Sequence, residues 1–315
     1  FVSYGYHQPF AIGGTSIEFF DAGHILGSAS VKLTFKGRGT PSTLAFSGDV
    51  GRKNLPILRD PEPFDHADWL ICESTYGARL HHPPSEVENR VAEVVNTTYR
   101  QRGKIIVPAF SVGRTQEIVY ALNRLANANR IPRLPIYVDS PLSTNTTEVF
   151  RLHPECYDEE TRQFLEEEGD PFGFSQLQYT RTVQESMALN SRTDPMIIIS
   201  ASGMCEAGRI LHHLRNNIED NRNTIMIVGF QAENTLGRRL VDGQREVKIF
   251  GEEHTVRANV VVIEAFSAHA DWKEMQEWYA PVGSSVKRTF LVHGDDEALA
   301  GMKEHLQPLT GGAIT

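Results

Sequence analysis

The sequence predicts an α/β protein in which one α/β domain is inserted into another. Apolar, β-branched runs alternate with one-sided amphipathic stretches along nearly the whole chain, the pattern of strands joined by helices. The residues best suited to hold a metal stand near the two ends of the sequence, and a middle α/β stretch between them holds none. At 315 residues the chain is also long for a single core, so one large or two medium domains are expected.

Strands are expected at residues 16–20, 31–35, 43–47 and 69–72. The first three stand close together, as in an antiparallel meander, with Gly37 and Gly39 at a turn. A buried-type strand follows at 104–108, then a helix from about 112 to 128. Ile118, Val119, Leu122, Leu125 and Ala126 give that helix its apolar stripe. The next strand is 136–138, and the acidic run 158–170 reads as a solvated helical face. Residues 196–199, a helix over 207–218 and residues 224–228 make a strand–helix–strand unit of parallel character. A strand over 260–266, a helix over 271–279, a strand over 289–292 and a helix over 296–306 complete the series.

No stretch approaches eighteen apolar residues in a row, so no membrane span is expected. Cys72, Cys156 and Cys205 are odd in number and lack CxxC spacing. That fits a reducing, cytoplasmic setting and argues against cysteine zinc sites. A net charge of −9 speaks against coating nucleic acid by bulk charge, although a local basic cleft remains compatible with it.

The chemistry lies where strands hand over to loops. Asp21-Ala-Gly-His24, Ser47-Gly-Asp49 and Leu291-Val-His293-Gly-Asp295 each put an imidazole or carboxylate at the end of an apolar run, and these groups suit zinc. A carboxylate such as Asp49, between two glycines, can bridge cations roughly 3.5–4 Å apart. Glu73 ends another strand, and His269, within Ser-Ala-His-Ala-Asp271, is the candidate proton-transfer imidazole. Two strand–helix turns look built for anions. One carries Ser111, Gly113 and Arg114; the other carries Ser202, Gly203 and Arg209. Tyr76, beside Glu73, completes the substrate-contact candidates. His212-His213, His81-His82, His7, His66, His153, His254 and His305 read as packing or surface residues.

The ordered set Gly23-His24, Ser-Gly-Asp49, Glu73-Ser-Thr-Tyr76-Gly77, Ser-Ala-His269-Ala-Asp271 and Val-His293-Gly-Asp295 resembles the metallo-β-lactamase-fold nucleases of the β-CASP group. Pro-Ala-Phe-Ser-Val-Gly-Arg114, Tyr-Val-Asp-Ser-Pro141 and Ser-Gly-Met-Cys-Glu-Ala-Gly-Arg209 extend the likeness over nearly the whole chain. It is closest to the members akin to the endonuclease subunit of mRNA 3′-end cleavage. The resemblance implies a two-zinc ribonuclease of RNA processing or decay that acts on single-stranded RNA, with a homodimer as a candidate assembly. It implies that His24, Asp49 and His293 ligate metal, that Glu73 and His269 are the first two β-CASP motifs, and that His269 protonates the leaving oxygen. His293 is the third motif, where members acting on RNA carry His and DNA-repair members tend to carry Val.

By the same resemblance, residues 1–78 and 256–315 are expected to form part of an αββα metallo-β-lactamase-type sandwich, and residues 79–255 the inserted β-CASP domain. The family's His-x-His-x-Asp-His segment is not in this sequence and is expected upstream of Phe1. With three of seven family ligands, the chain alone is expected to bind little zinc, to cleave RNA negligibly and to leave an apolar sheet face uncovered. The rival readings are a non-catalytic RNA-binding or scaffold subunit, favoured by broken motifs, and a small-molecule hydrolase of the same fold, which needs no Glu73–His269 pair.

Overall fold

A computed structural model describes residues 2–36, 39–81, 86–263 and 267–315. Gly37, His82 and the 264–266 end of the expected strand lie outside the described residues. The chain opens with strands β1 (Phe10–Ile12), β2 (Thr15–Asp21), β3 (Ala29–Phe35), β4 (Ser42–Phe46) and β5 (Trp69–Glu73). Next come α1 (Val87–Arg100), β6 (Ile105–Pro108), α2 (Arg114–Asn127), β7 (Ile136–Val138), α3 (Pro141–Leu152) and α4 (Glu159–Glu167). They lead to β8 (Leu177–Tyr179), α5 (Val183–Ser191), β9 (Ile197–Ser200), α6 (Arg209–Asn217) and β10 (Thr224–Ile227). After α7 (Leu236–Val241), β11 (Glu246–Ile249), β12 (Glu252–Thr255) and β13 (Asn259–Val262), the chain ends with α8 (Trp272–Gly283), β14 (Arg288–Val292), α9 (Asp296–Leu306) and β15 (Ala313–Ile314).

These elements divide into two units, one from Phe1–His81, Cys156–Asp158 and Ala268–Thr315, the other from His82–Glu155 and Glu159–Ser267. In the first, the strands run in the order β1-β2-β3-β4-β5-β14-β15. β1 to β4 form the antiparallel meander, and β5, β14 and β15 continue in parallel. One face is sealed: Leu70, Cys72, Phe64, Met275, Trp278, Tyr279, Val282, Met302 and Leu306 form its core. Helix α8 is started by Asp271, whose carboxylate accepts the N–H groups of Lys273 and Glu274 while Glu274 returns a bond to the Asp271 N–H. Across the opposite face, Val31, Phe46, Ile71 and Phe290 fall in register on neighbouring strands. Phe46, Phe290 and Val292 are 43%, 38% and 39% exposed there, so an apolar strip is open among the described residues.

Asp21 ends β2 in a dry setting. Its Oδ2 is buried without a hydrogen-bond donor, and Arg59 comes no nearer than 4.0 Å. Burial pushes the carboxyl up to about 6, although Arg59 opposes the shift. A raised native pKa means that the folded state binds this proton more readily than the unfolded one, so the Asp21 contribution to stability falls as pH rises from about 4 through 6. Asp21→Asn should therefore stabilise the protein at pH 7–8, by about 1–2 kcal/mol once solvent screening is allowed for. The difference should vanish below about pH 4. Urea melts at both ends of this range check it, and equal stability at pH 8 would refute it.

The second unit is built on a parallel sheet of order β13-β10-β6-β9-β7-β8. Its central strands β6, β7, β9 and β10 are buried at every position, as continuous apolar runs covered on both faces should be. Helices α2 and α6 start at Arg114 and Arg209, slightly later than expected, because Gly113 and Gly208 precede them at φ 77° and 85°. β13 pairs with β10 over Asn259 to Val262, so residues 259–262, expected in the returning segment, belong to this sheet. β9 and β10 do not touch directly; both flank β6.

Candidate active site

The five residues singled out at strand ends come together at one edge of the first unit's sheet. His24 follows β2 in a turn whose N–H groups at His24 and Ile25 donate to Ser28 Oγ at 3.1 and 3.2 Å. Asp49 follows β4. The two loops interlock so closely that a Cβ on Gly51 would lie 2.0 Å from the Gly23 carbonyl oxygen, and the Gly51 N–H donates to Ala22 O at 2.7 Å. Only glycine allows that approach. Asp49 then presents one carboxylate oxygen to each of two imidazoles: Oδ2 lies 3.9 Å from His24 Nε2 and Oδ1 lies 3.4 Å from His293 Nδ1.

Glu73 ends β5 and is 2% exposed. Its Oε1 accepts the Val50 N–H at 2.6 Å and its Oε2 the Thr75 hydroxyl at 2.5 Å. Both oxygens stand 3.2 Å from His269 Nδ1. Burial pushes this carboxyl up, but the bonds from His269, Thr75 and Val50 outweigh it and hold it below its ordinary value. His269 is pinned by a bridge to Gly51 and by the Ala270 N–H, which donates to Val50 O at 2.8 Å. The ligand atoms of His24, Asp49 and His269 lie within 4.8 Å of one another, as do those of Glu73, His269 and His293.

This donor set fits a zinc site: imidazole nitrogens around a carboxylate that can bridge. His24 turns Nε2 towards Asp49, while its Nδ1 is buried on the side of the Ala268 main chain, so Nε2 is the nitrogen that would take a metal. Burial, with His269 adding to it, lowers the His24 pKa, so its ring stays neutral, as a metal ligand must be.

Residues 115–240 match the family model described as Beta-Casp domain, and residues 253–313 match the one described as Zn-dependent metallo-hydrolase RNA specificity domain. "Ribonuclease TTHA0252" of Thermus thermophilus is 35% identical over 297 residues, covering 94% of this chain and 67% of that protein. The chain belongs to the β-CASP family of metallo-β-lactamase-fold ribonucleases. A second β-CASP relative, the "RNase J-like protein" of Methanocaldococcus jannaschii, is 34% identical over 88% of this chain and 63% of its own length. The "Transcription termination factor FttA" of Pyrococcus abyssi is 34% identical over 89% of the chain and 44% of its length. The chain thus spans about two thirds of the first two relatives and under half of the third.

In this β-CASP member, the residues expected to contact substrate are divided between the two units. Tyr76 belongs to the first unit and meets the His81 ring edge-on at 4.3 Å. The others lie in the second unit, at the carboxyl ends of β6 and β9. There the two arginines already have internal partners. Arg114 is buried and pairs with Glu117. Arg209 bonds Asp139 Oδ1 at 2.6 Å and the Arg181 carbonyl at 2.8 Å. Ser202 Oγ accepts the N–H groups of Glu206 and Ala207 from its own loop, Gly203 packs on the Phe110 ring, and Ser111 Oγ lies 3.3 Å from Ser140 Oγ.

Sequence reasoning missed the residue around which that edge is organised. Asp139 is fully buried and accepts from Thr180, Ser186, Arg209 and His213 at 2.5–2.6 Å. Burial opposes its ionisation, yet these four donors hold the carboxyl well below the usual range. Its strand-end place in Tyr-Val-Asp139-Ser-Pro was the one available signal. His81 was read as a packing residue, and the structure places it against the His269 main chain. Burial, then the positive charge of Arg52, lowers its imidazole to about 4.

Proposed function

We propose that this chain belongs to an enzyme that hydrolyses RNA phosphodiester bonds with the help of zinc, in RNA processing or decay. The observation that carries the reading is the pairing of two arrangements in one site. Asp49 faces a different imidazole with each oxygen, and His269 is held through Nδ1 by a buried, ionised Glu73. His24, Asp49 and His293 would hold the zinc. Bound zinc would stabilise negative charge on the phosphoryl oxygens.

The rest of the chemistry lies with the chain's own groups. Glu73 accepts from His269 Nδ1–H and leaves Nε2 as the nitrogen that delivers a proton to the departing oxygen. When His269 carries protons on both nitrogens, the ionised Glu73 offsets the charge. Single-stranded RNA is the substrate class that fits the second unit. Phe110 and Phe230, 42% and 52% exposed, follow neighbouring strands β6 and β10 at the carboxyl edge of its sheet, and unpaired bases can stack on such rings.

The test uses the full-length protein. Cleavage of a single-stranded RNA should be abolished by a chelator and restored by zinc, and Asp49→Asn should lower both the zinc content by elemental analysis and the cleavage. RNA cleavage that survives chelation, or an Asp49→Asn protein with its full zinc complement, would refute the reading.

A further inference from the structure

The segment after β5 grips His269 twice. Glu73 holds the imidazole from one end of that segment, and eight residues on, His81 reaches the main chain of the same residue. His81 Nε2 lies 3.2 Å from the His269 carbonyl oxygen. A carbonyl only accepts, so Nε2 must carry the hydrogen and donate. The His81 ring itself packs against Tyr76 in a T-shaped contact, with ring centroids 4.3 Å apart. Its backbone N–H donates to Asp271 Oδ2 at 3.0 Å, while Asp271 Oδ1 starts helix α8. Tyr76 in turn forms a backbone bridge with Asp271. His269 therefore stands on a short stretch of irregular backbone whose carbonyl is held from one side by His81 and whose neighbouring N–H, at Ala270, is held by Val50.

We propose that His81 is a positioning residue for His269: its Nε2–H fixes the His269 carbonyl and thereby the direction from which the His269 imidazole meets the leaving oxygen. This rests on the reading of His269 as proton donor. A shift of about 1 Å in a reacting group can cost roughly 100-fold in rate. His81 Nε2 bonds only the 269 main chain, so its loss acts on Asp49, His24 and His293 only through the His269 ring, which stands 4.3 Å from that of His24.

The experiment compares two substrates of the full-length, zinc-loaded protein: an RNA oligonucleotide, whose departing oxygen needs a proton, and bis(p-nitrophenyl) phosphate, whose departing phenolate does not. His81→Phe should lower kcat on RNA roughly 10–100-fold. It should leave KM and zinc content within about a factor of three, and change the aryl ester rate by no more than that factor. His81→Asn, which keeps a side-chain N–H, should recover part of the loss and serves if the Phe variant does not fold. An equal fall on both substrates, a loss carried by KM, or unchanged RNA cleavage would overturn the proposal. His269→Ala separates the two levels. If it discriminates between the substrates and His81→Phe does not, only the positioning role fails; if it slows both equally, the proton-donor reading fails and takes this one with it.

Discussion

His269→Ala in the full-length protein should lower RNA turnover by roughly 10²–10⁴-fold, the range for losing a positioned general acid. The zinc content should stay nearly unchanged, because in the proposed reading His24, Asp49 and His293 hold the metal and His269 keeps Nε2 for the proton, with Nδ1 held by Glu73 at 3.2 Å. Glu73→Gln should follow in the same direction by a smaller factor. It keeps the shape of the site but removes the charge that matches a doubly protonated His269. Single-turnover cleavage alongside elemental analysis checks both variants. A His269→Ala protein that loses its zinc in step with its activity would make His269 a ligand, as its closeness to His24 and Asp49 also permits.

Asp139→Ala should cost the second unit about 3–5 kcal/mol, the range for breaking a buried ion pair from one side. The carboxylate is fully buried, and its removal strands the His213 ring at the heart of α6, the Arg209 guanidinium and two hydroxyls. Unfolding of a protein with two units need not be a single transition, so the informative measurement is hydrogen exchange of the β7 and α6 amides. They should lose protection while the β5 and β14 amides keep theirs. Arg209→Ala should move the same amides by less, since Thr180, Ser186 and His213 still donate to the carboxylate. Unaltered protection in either variant would mean that the network is not a stabilising one, and a loss of RNA affinity without loss of protection would return Arg209 to the role of a phosphate contact.

Much of the first unit was legible from sequence because its chemistry sits on chemically unusual letters. An imidazole or carboxylate at the end of an apolar run is rare enough that His24, Asp49, Glu73, His269 and His293 could be picked out singly. The meander was legible from three short runs separated by turn residues. The arginines were harder. An Arg at the first turn of a helix looks the same whether it faces a phosphate or a buried acid, and the acid that meets Arg209 lies 70 positions away in sequence. His81 was hidden in the same way, its partner being 188 positions distant. The partner of β13 was not legible, because an Asn-Val-Val-Val run suits any parallel sheet; only its pairing with β10 decides which one.

The neighbours β5 and β14 have a consequence for how the protein is made. The Ser74 hydroxyl reaches the Val292 carbonyl across 218 positions of sequence, and the second unit lies within that interval. The entropic cost of closing a flexible loop grows only slowly with its length, and a loop whose interior has already folded behaves as a shorter one. The second unit, continuous but for three residues, can reach its topology from its own contacts and so act as the clasp that brings β14 home. During synthesis at about 5–20 residues per second, the edge of β5 waits uncovered until residue 288 and beyond have emerged. Glu73 waits with it, 196 positions ahead of its histidine. Until then the Glu73–His269 pair cannot form, and what the growing chain presents instead is an unpaired strand edge, a template for aggregation.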